Sequence, residues 1–432
     1  MRHAALALLL MVTSGAQANE LLRLYRQALQ SDTQLQAAAA ARDAAKEANP
    51  QAFAALLPQI NAGYQITKIY DDITVSGVNR TSDFTNRGLS VTLDQALYNR
   101  EAFTRLKQSD IQGALADAGF RNAQQTLALR VVTAYFDLLA GADSLRFAEA
   151  EREAVERSLE QSRQRFEVGL SAITDVQEAQ ARYDLTVAQK IQAEQVLAST
   201  RESLSEIVGA VPIAIAPLTD TIPLRSPDPA DAAAWVRAAL ENNPQIVSAQ
   251  LQAEIADKDI EIVRSGHYPT LGLQAEVTDG EQGGRFASEQ TQETVSLQLR
   301  VPIYAGGAVN SRVDAARSVL KQRQAEMEAA KRQAERQTKD AYQGVLTGIA
   351  LVKAQKQAVV SNVTALESSE VGLQVGARTA IDVLNAQREL YRAQRDYARS
   401  RYDYLLNILR LKLAAGRLDE PDLAEIDALL GQ

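Results

Sequence analysis

Two periodicities divide the chain. In the stretch from Val383 to Leu411, large apolar residues return at every seventh position (Val383, Leu390, Tyr397, Tyr404 and Leu411), with small Ala386, Ala393 and Ser400 between them. A heptad of this kind predicts long helices packed side by side, large residues against small ones. Elsewhere the period is two. Ile60, Ala62, Tyr64 and Ile66 alternate with Asn61, Gly63, Gln65 and Thr67, and Leu89, Val91 and Leu93 alternate with Ser90, Thr92 and Asp94. Leu271, Leu273, Ala275 and Val277, then Val295, Leu297, Leu299 and Val301, follow the same rule. These four segments read as strands with one apolar and one polar face.

The pattern is written twice. EVGLSAITDVQEAQ (Glu167 to Gln180) returns 207 residues later as QVGARTAIDVLNAQ (Gln374 to Gln387), and Ala134, Tyr135 and Leu139 return as Ala341, Tyr342 and Leu346. Shifted by the same offset, the heptad stripe becomes Val176, Tyr183, Lys190, Leu197 and Leu204. Pro58 recurs as Pro269, and Ser90, Leu93 and Tyr98 as Ser296, Leu299 and Tyr304. Such self-similarity is a tandem duplication.

The fold class that follows is α+β. Repeat 1 spans 19–210, with helices over 20–57, 99–167 and 172–209, strands about 59–70 and 85–98, and a turn at 169–171. Repeat 2 spans 231–416, with helices over 231–267, 306–375 and 379–415, strands about 269–278 and 294–304, and a turn at 376–378. A linker at 211–230, within a stretch holding five of the eleven prolines, joins them, and 417–432 forms a tail. At ~1.5 Å per residue the longest helices reach ~100 Å. That length argues against a solid globular bundle. Ile69 to Arg87 and Thr278 to Thr294 are long and polar and read as loops between paired strands.

Each glycine in the two turns, Gly169 and Gly376, stands where a helix should stop, because glycine adopts the left-handed conformation cheaply. Ser171 and Thr379 are candidate caps for the helices that follow, and Asp175 and Asp382 fall in the favoured first turn.

Composition narrows the setting. MRHAALALLLMVTSGAQANE has a basic start, an apolar run and a small-x-small site at Ala16 to Ala18, so residues 1–18 read as a cleaved secretory signal. The chain has no cysteine, which excludes disulfides, thiolate metal sites and a lipidated cysteine. After the signal no apolar run is long enough for a membrane helix, so any crossing must be made by a β-barrel. A net charge of -8, with both signs mixed along the chain, argues against nucleic acid as a partner.

Enzymatic chemistry finds little purchase. Past the signal there is one histidine, His267, at a helix-to-strand junction. No phosphate-binding loop is present, and Gly306-Gly307 lacks the remainder of a dinucleotide fingerprint. No cofactor is implied. A secreted coiled-coil fibre would account for the heptads and the signal, but not for two hairpins sharing an apolar face.

Alternating segments of ~10 residues separated by polar loops are the mark of an outer-membrane barrel, with Tyr98 and Tyr304 candidates for its aromatic girdle. Four strands cannot close one, since the smallest have about eight, and open edges in lipid cost several kcal/mol per unpaired group. The chain must therefore associate, and cyclic symmetry closes the sheet.

The turn VGARTAIDVL and the segment from Ala398 to Leu423 resemble the TolC family of outer-membrane efflux and type I secretion channels, and the resemblance covers essentially the whole mature chain. It implies a homotrimer in which twelve strands form a barrel in the outer-membrane lipid of a Gram-negative bacterium and the helices continue as a tunnel through the periplasm. It also implies two partners, a periplasmic adaptor protein and an inner-membrane pump or ABC transporter, and a cargo of small molecules, secreted protein or both. Lacking cysteine, the chain resembles the non-lipidated branch. Asp382 matches the outer of two aspartate rings at the family's tunnel entrance, while the inner ring falls on Asn385, which halves the expected charge. Thr174 and Asp175 match one side of the family's closed-state latch, and Arg378 and Leu373 the other. Leu373 stands where the family pattern has tyrosine, so the hydrogen bond to Asp175 is lost and a looser closed entrance is expected.

Overall fold

A computed structural model describes residues 20–210, 215–283 and 287–431. The signal read at 1–18, the start of the linker at 211–214 and the residues 284–286 lie outside them.

In chain order the elements are α1 (Glu20–Ser31), α2 (Thr33–Lys46), α3 (Ala48–Ala54), β1 (Gln59–Val75), β2 (Val78–Tyr98), α4 (Arg100–Glu167) and α5 (Ile173–Val208). After the linker come α6 (Ala232–Asn242), α7 (Pro244–Arg264), a short 3-10 turn at Ser265–His267, β3 (Thr270–Gln282), β4 (Ser288–Arg300), α8 (Ala308–Gln374), α9 (Ala380–Ala414) and α10 (Glu420–Asp427).

Each repeat's first helix, expected as one piece, is broken. Asp32 interrupts the first by accepting from the Leu35 amide at 2.7 Å, a cap that starts a new helix. In the second the break is Asn243-Pro244. Proline disfavours helical backbone in the residue before it, and the Asn243 side chain accepts from Gln245 N at 2.9 Å. Of the tail expected at 417–432, residues 417–431 pack on the rest of the chain: α10 buries Leu423 and Ile426, and Leu430 pairs with Leu218 of the linker.

The strands form one antiparallel sheet in the order β1-β2-β3-β4. The polar stretch expected as a loop at Ile69 to Arg87 is instead a continuation of the first hairpin, with Val75 paired to Val78. Its two-residue turn is Ser76-Gly77, at φ 52° and 82°, the left-handed pair that matches strand twist. Alternation of apolar residues ends where the polar stretch begins, but hydrogen bonding does not. The second hairpin likewise keeps its ladder to Gln282 paired with Ser288. β4 stops at Arg300 rather than 304, because Pro302 has no amide to donate. Tyr98 thus ends a strand, whereas Tyr304 lies beyond one and is exposed.

Register places the apolar residues of all four strands on one face. Leu93 pairs with Ile60 and with Ala275, and Ala275 with Val295, which makes a single row. Ile60 is 68% exposed, Val295 76% and Leu299 67%. A face of this kind, bare across four strands, has no protein partner among the described residues. The opposite face carries Asn61, Thr92, Glu276 and Thr294 in one row, and the outer edges of β1 and β4 pair with nothing among the described residues.

The chain divides into two compact units. One takes residues up to 39 with 120–246 and 330–432, and the other 40–119 with 247–329. The sheet belongs to the second. The first holds the largest apolar core, in which Leu21, Leu127, Tyr135, Phe136, Tyr402, Tyr404 and Leu409 are almost fully buried. The heptad residues Val383, Leu390, Tyr404 and Leu411, with Ala393 and Ser400 between, lie buried along α9.

Candidate functional site

The two helical turns close with the same backbone bonds. After α4, Gly169 N donates to Phe166 O at 2.9 Å and Leu170 N to Arg165 O at 2.7 Å. After α8, Gly376 N donates to Leu373 O at 3.3 Å and Ala377 N to Gly372 O at 2.8 Å. This double closure requires a left-handed residue, and Gly169 and Gly376 supply it at φ 73° and 74°.

The helices that follow are capped differently. Thr379 starts α9 with a reciprocal cap: its hydroxyl accepts from Asp382 N at 3.2 Å, and Asp382 Oδ2 accepts from Thr379 N at 2.9 Å and from its hydroxyl at 2.8 Å. These bonds from Thr379, with the nearby Arg378 guanidinium, hold the Asp382 carboxyl below its ordinary value. Ser171 does not cap α5, contrary to expectation. Ala172 occupies that position without an acceptor, Asp175 Oδ2 takes the Ala172 amide at 3.4 Å, and the Ser171 hydroxyl turns back to Ser162 O at 3.4 Å.

The turns meet. Leu170, Ser171, Asp175, Leu373, Gly376 and Arg378 line one open cleft of about 230 Å³. Among the described residues Arg378 forms neither a hydrogen bond nor an ion pair with Thr174 or Asp175. Its side chain lies against Gly372, so closely that a Cβ there would sit 2.5 Å from Arg378 Cγ. Thr174 and Asn385 are exposed, and Asp175 and Asp382 half-buried. Asn385 stands three residues beyond Asp382 on α9, one turn further along the same face.

Further along the helices is a group the heptads did not point to. Glu151 of α4 is 1% exposed and is gripped from both sides, by Arg182 Nη2 of α5 and by Arg395 Nη1 of α9, each at 3.1 Å. On sequence it passes for one more acid on a solvated helix face. The signal that singles it out is the repeat, which puts Ala358 at the equivalent place.

His267 is exposed in its 3-10 turn, with Nε2 3.1 Å from Asn310 Oδ1. Among the described residues no cluster of side chains could hold a metal ion.

The comparisons agree with this geometry. The profile of the family described as Outer membrane efflux protein matches residues 24–210 and 235–417. The outer membrane protein TolC of Vibrio cholerae serotype O1 is 36% identical over 96% of this chain and 95% of its own length. The alkaline protease secretion protein AprF of Pseudomonas aeruginosa is 30% identical over 98% of this chain and 89% of its own. Among solved structures, the outer membrane protein VceC of Vibrio cholerae superposes with a TM-score of 0.76, covering 92% of this chain and 96% of that one at 20% identity, which is a likeness of fold.

Proposed function

The chain belongs to the outer membrane efflux protein family, and from that premise we propose that three copies assemble around one axis and that the paired helical turns form the periplasmic entrance of the resulting channel. The chain itself is an outer-membrane channel protein of the efflux and secretion class. The observation that carries the trimer is the sheet. Four strands bear one bare apolar face and two unpaired edges, which lipid tolerates only when further copies close the ring. Three copies give twelve strands, within the known range of such barrels. The partners in this reading are a periplasmic adaptor protein and an inner-membrane pump or ABC transporter.

In that assembly Asp382 repeats three times about the axis. A carboxylate held ionised by its cap supplies fixed negative charge where the passage narrows, which draws cations and repels anions. Asn385 adds no charge beside it. The latch reading pairs Thr174 and Asp175 with Arg378 and Leu373 across the cleft. Leu373 offers no donor to Asp175, and Arg378 rests on Gly372 instead of bridging.

Reconstitution into planar lipid bilayers tests both parts. The account expects cation-preferring pores whose preference falls in Asp382→Asn, and a lower closed-state leak in Leu373→Tyr, which restores a donor facing Asp175. Pores that ignore Asp382→Asn would remove these turns from the entrance.

Cargo has a second reading. The similarity to AprF, a protease secretion protein matched along nearly the whole chain, favours export of protein through the same conduit. A deletion strain that loses a secreted protein while keeping its resistance to dyes and detergents decides for secretion, and the reverse pattern decides for efflux.

A further inference from the structure

The apolar face of the sheet ends on a slant. Its run closes at Ile66 on β1, at Leu89 on β2, at Val277 on β3 and at Val295 on β4. Ile66 pairs with Arg87, Leu89 with Asp279 and Val277 with Glu293, so the last apolar residue of each strand stands opposite the first charge of the next. The border steps back by one row per strand, as a flat lipid boundary does across tilted strands.

The charges along this border follow an order. They are Lys68, Arg87, Asp279 and Glu293, two cations on the first hairpin and two acids on the second. Each is a diagonal neighbour of the one before, about 7–8 Å across the strand pair and within reach of a long side chain. Like charges therefore share a hairpin, whose strands are consecutive in the chain, and opposite charges meet where one hairpin joins the other. At that seam Arg87 faces Glu281 directly and Asp279 diagonally, close enough for attraction, and bonds to neither. The row ends at Glu293, exposed at the edge of the sheet, whose carboxylate has no hydrogen-bond or ion-pair partner among the described residues. It begins at Lys68 on the other edge, where Nζ lies 3.3 Å from Asp83 with both side chains about half exposed.

The duplication indicates how the two edges meet. β1 recurs as β3 at an offset of 211, from Pro58 to Pro269, and β2 as β4 at 206, from Tyr98 to Tyr304. The open edges of β4 and β1 are thus the counterparts of β2 and β3, whose register is observed. Carried over, Leu89 opposite Asp279 becomes Val295 opposite Lys68, and Arg87 opposite Glu281 becomes Glu293 opposite Tyr70. The slanted border leads independently to the same pairing, because Val295 then faces the first charge of the strand that follows. In this register all 13 residues of β4 find partners on β1, between Gly63 and Val75.

We propose that β4 of one copy joins β1 of the next in this register, and that attraction between Glu293 and Lys68 on the lipid-facing side selects which edges join. This rests on the ring proposed above. Repeated strands create a hazard, since β2 resembles β4 and β1 resembles β3, so a wrong edge offers nearly the right backbone. Charge removes it. Two first hairpins brought together would set Arg87 beside Lys68, and two second hairpins would set Glu293 beside Asp279, like charges on neighbouring strands in both cases. A slip of one residue is excluded separately, because it turns the apolar face of the strand inward. Around the closed ring the pairs alternate in sign, and each seam between hairpins is attractive.

The absence of native cysteine permits a clean test of the register. Leu297→Cys with Ile66→Cys places thiols directly opposite across the seam, whereas Leu297→Cys with Tyr64→Cys or with Lys68→Cys places them on the diagonal, too far apart for an unstrained disulfide. Mild oxidation of the full-length protein in outer membranes should link the first pair into a ladder of two and three chains on a non-reducing denaturing gel, and the other two several-fold less. Charge is tested separately. Lys68→Glu and Glu293→Lys should each lower the yield of heat-resistant trimer on the order of tenfold, and the double exchange should restore most of it. A stronger link at 297–64 or 297–68 than at 297–66 overturns the register. Single exchanges that assemble like the native chain, or a double exchange that recovers nothing, overturn the role of charge. A native chain that yields no trimer overturns the ring itself, and the proposal with it.

Discussion

The turn after α4 and the turn after α8 share one backbone and differ in nearly everything attached to it. Both end in a left-handed glycine with the same pair of closing hydrogen bonds. Only the second turn is followed by a full side-chain cap, from Thr379 and Asp382, while Ala172 leaves the first half-capped. The same divergence runs up the helices, where Glu151 in one repeat answers to Ala358 in the other. Duplication thus fixes the path of the chain, because glycine and apolar spacing determine it. Polar chemistry is then free to differ, as it does between Glu151, held by Arg182 and Arg395, and Ala358.

The largest effect should come from Glu151. Glu151→Leu leaves Arg182 and Arg395 without their shared counterion and should cost about 2–4 kcal/mol, toward the lower end because Arg395 is partly solvated. Ala358→Leu, at a half-buried position that holds no charge, should cost less. Denaturant unfolding of the detergent-solubilised protein measures both, and equal losses would erase the asymmetry between the repeats.

Next come the glycines. Gly169→Ala and Gly376→Ala should each cost about 1–2 kcal/mol through the left-handed backbone alone, since a Cβ at either meets no atom within 4 Å. The two values should agree closely. A large difference would show that the turns are not equivalent in backbone after all. The caps should separate them: Thr379→Ala should cost about 1 kcal/mol, and Ser171→Ala only a few tenths. Hydrogen exchange at the first amides of α9 and α5 reads this directly.

The smallest effect is one of pH. Asp427 of α10 accepts from Leu21 N at 2.9 Å, and burial, reinforced by the nearby Glu20 carboxylate, holds its carboxyl above the ordinary value. A folded-state pKa above the unfolded one means that the protonated form favours the fold. That contribution is full below the unfolded value and is lost as pH rises through the raised one. Asp427→Asn should therefore remove part of the gain in α10 docking seen on acidification, measured by protease protection of the tail between pH 7 and pH 4. Asp382 has the opposite sign. Its lowered value favours the fold above the unfolded pKa, and that contribution disappears as the pH falls through the lowered one.

Much of the fold could be read because it rests on strong periodic signals. The heptad on α9, the apolar alternation of the strands and the glycine in each turn are local features with a single structural reading. The misreadings arose where a polar stretch conceals its geometry. Ile69 to Arg87 looks like a loop because its outward residues need not be apolar, yet its backbone pairs to the tip at Ser76-Gly77. The break at Asn243-Pro244 was present in the sequence as an ordinary helix-breaking signal. Ser171 failed as a cap because the helix begins one residue later than its hydroxyl would require. Glu151 could not be recognised from its surroundings in sequence, since its two guanidiniums come from helices far along the chain. Only comparison of the repeats, position by position, marks it.

All of this depends on the sheet being completed by other copies in lipid. Native mass spectrometry of the detergent-extracted protein tests that most directly. The account predicts a particle of three chains that keeps its detergent belt and resists dissociation until heated. A single chain that remains dissolved and folded after the detergent is removed would contradict it.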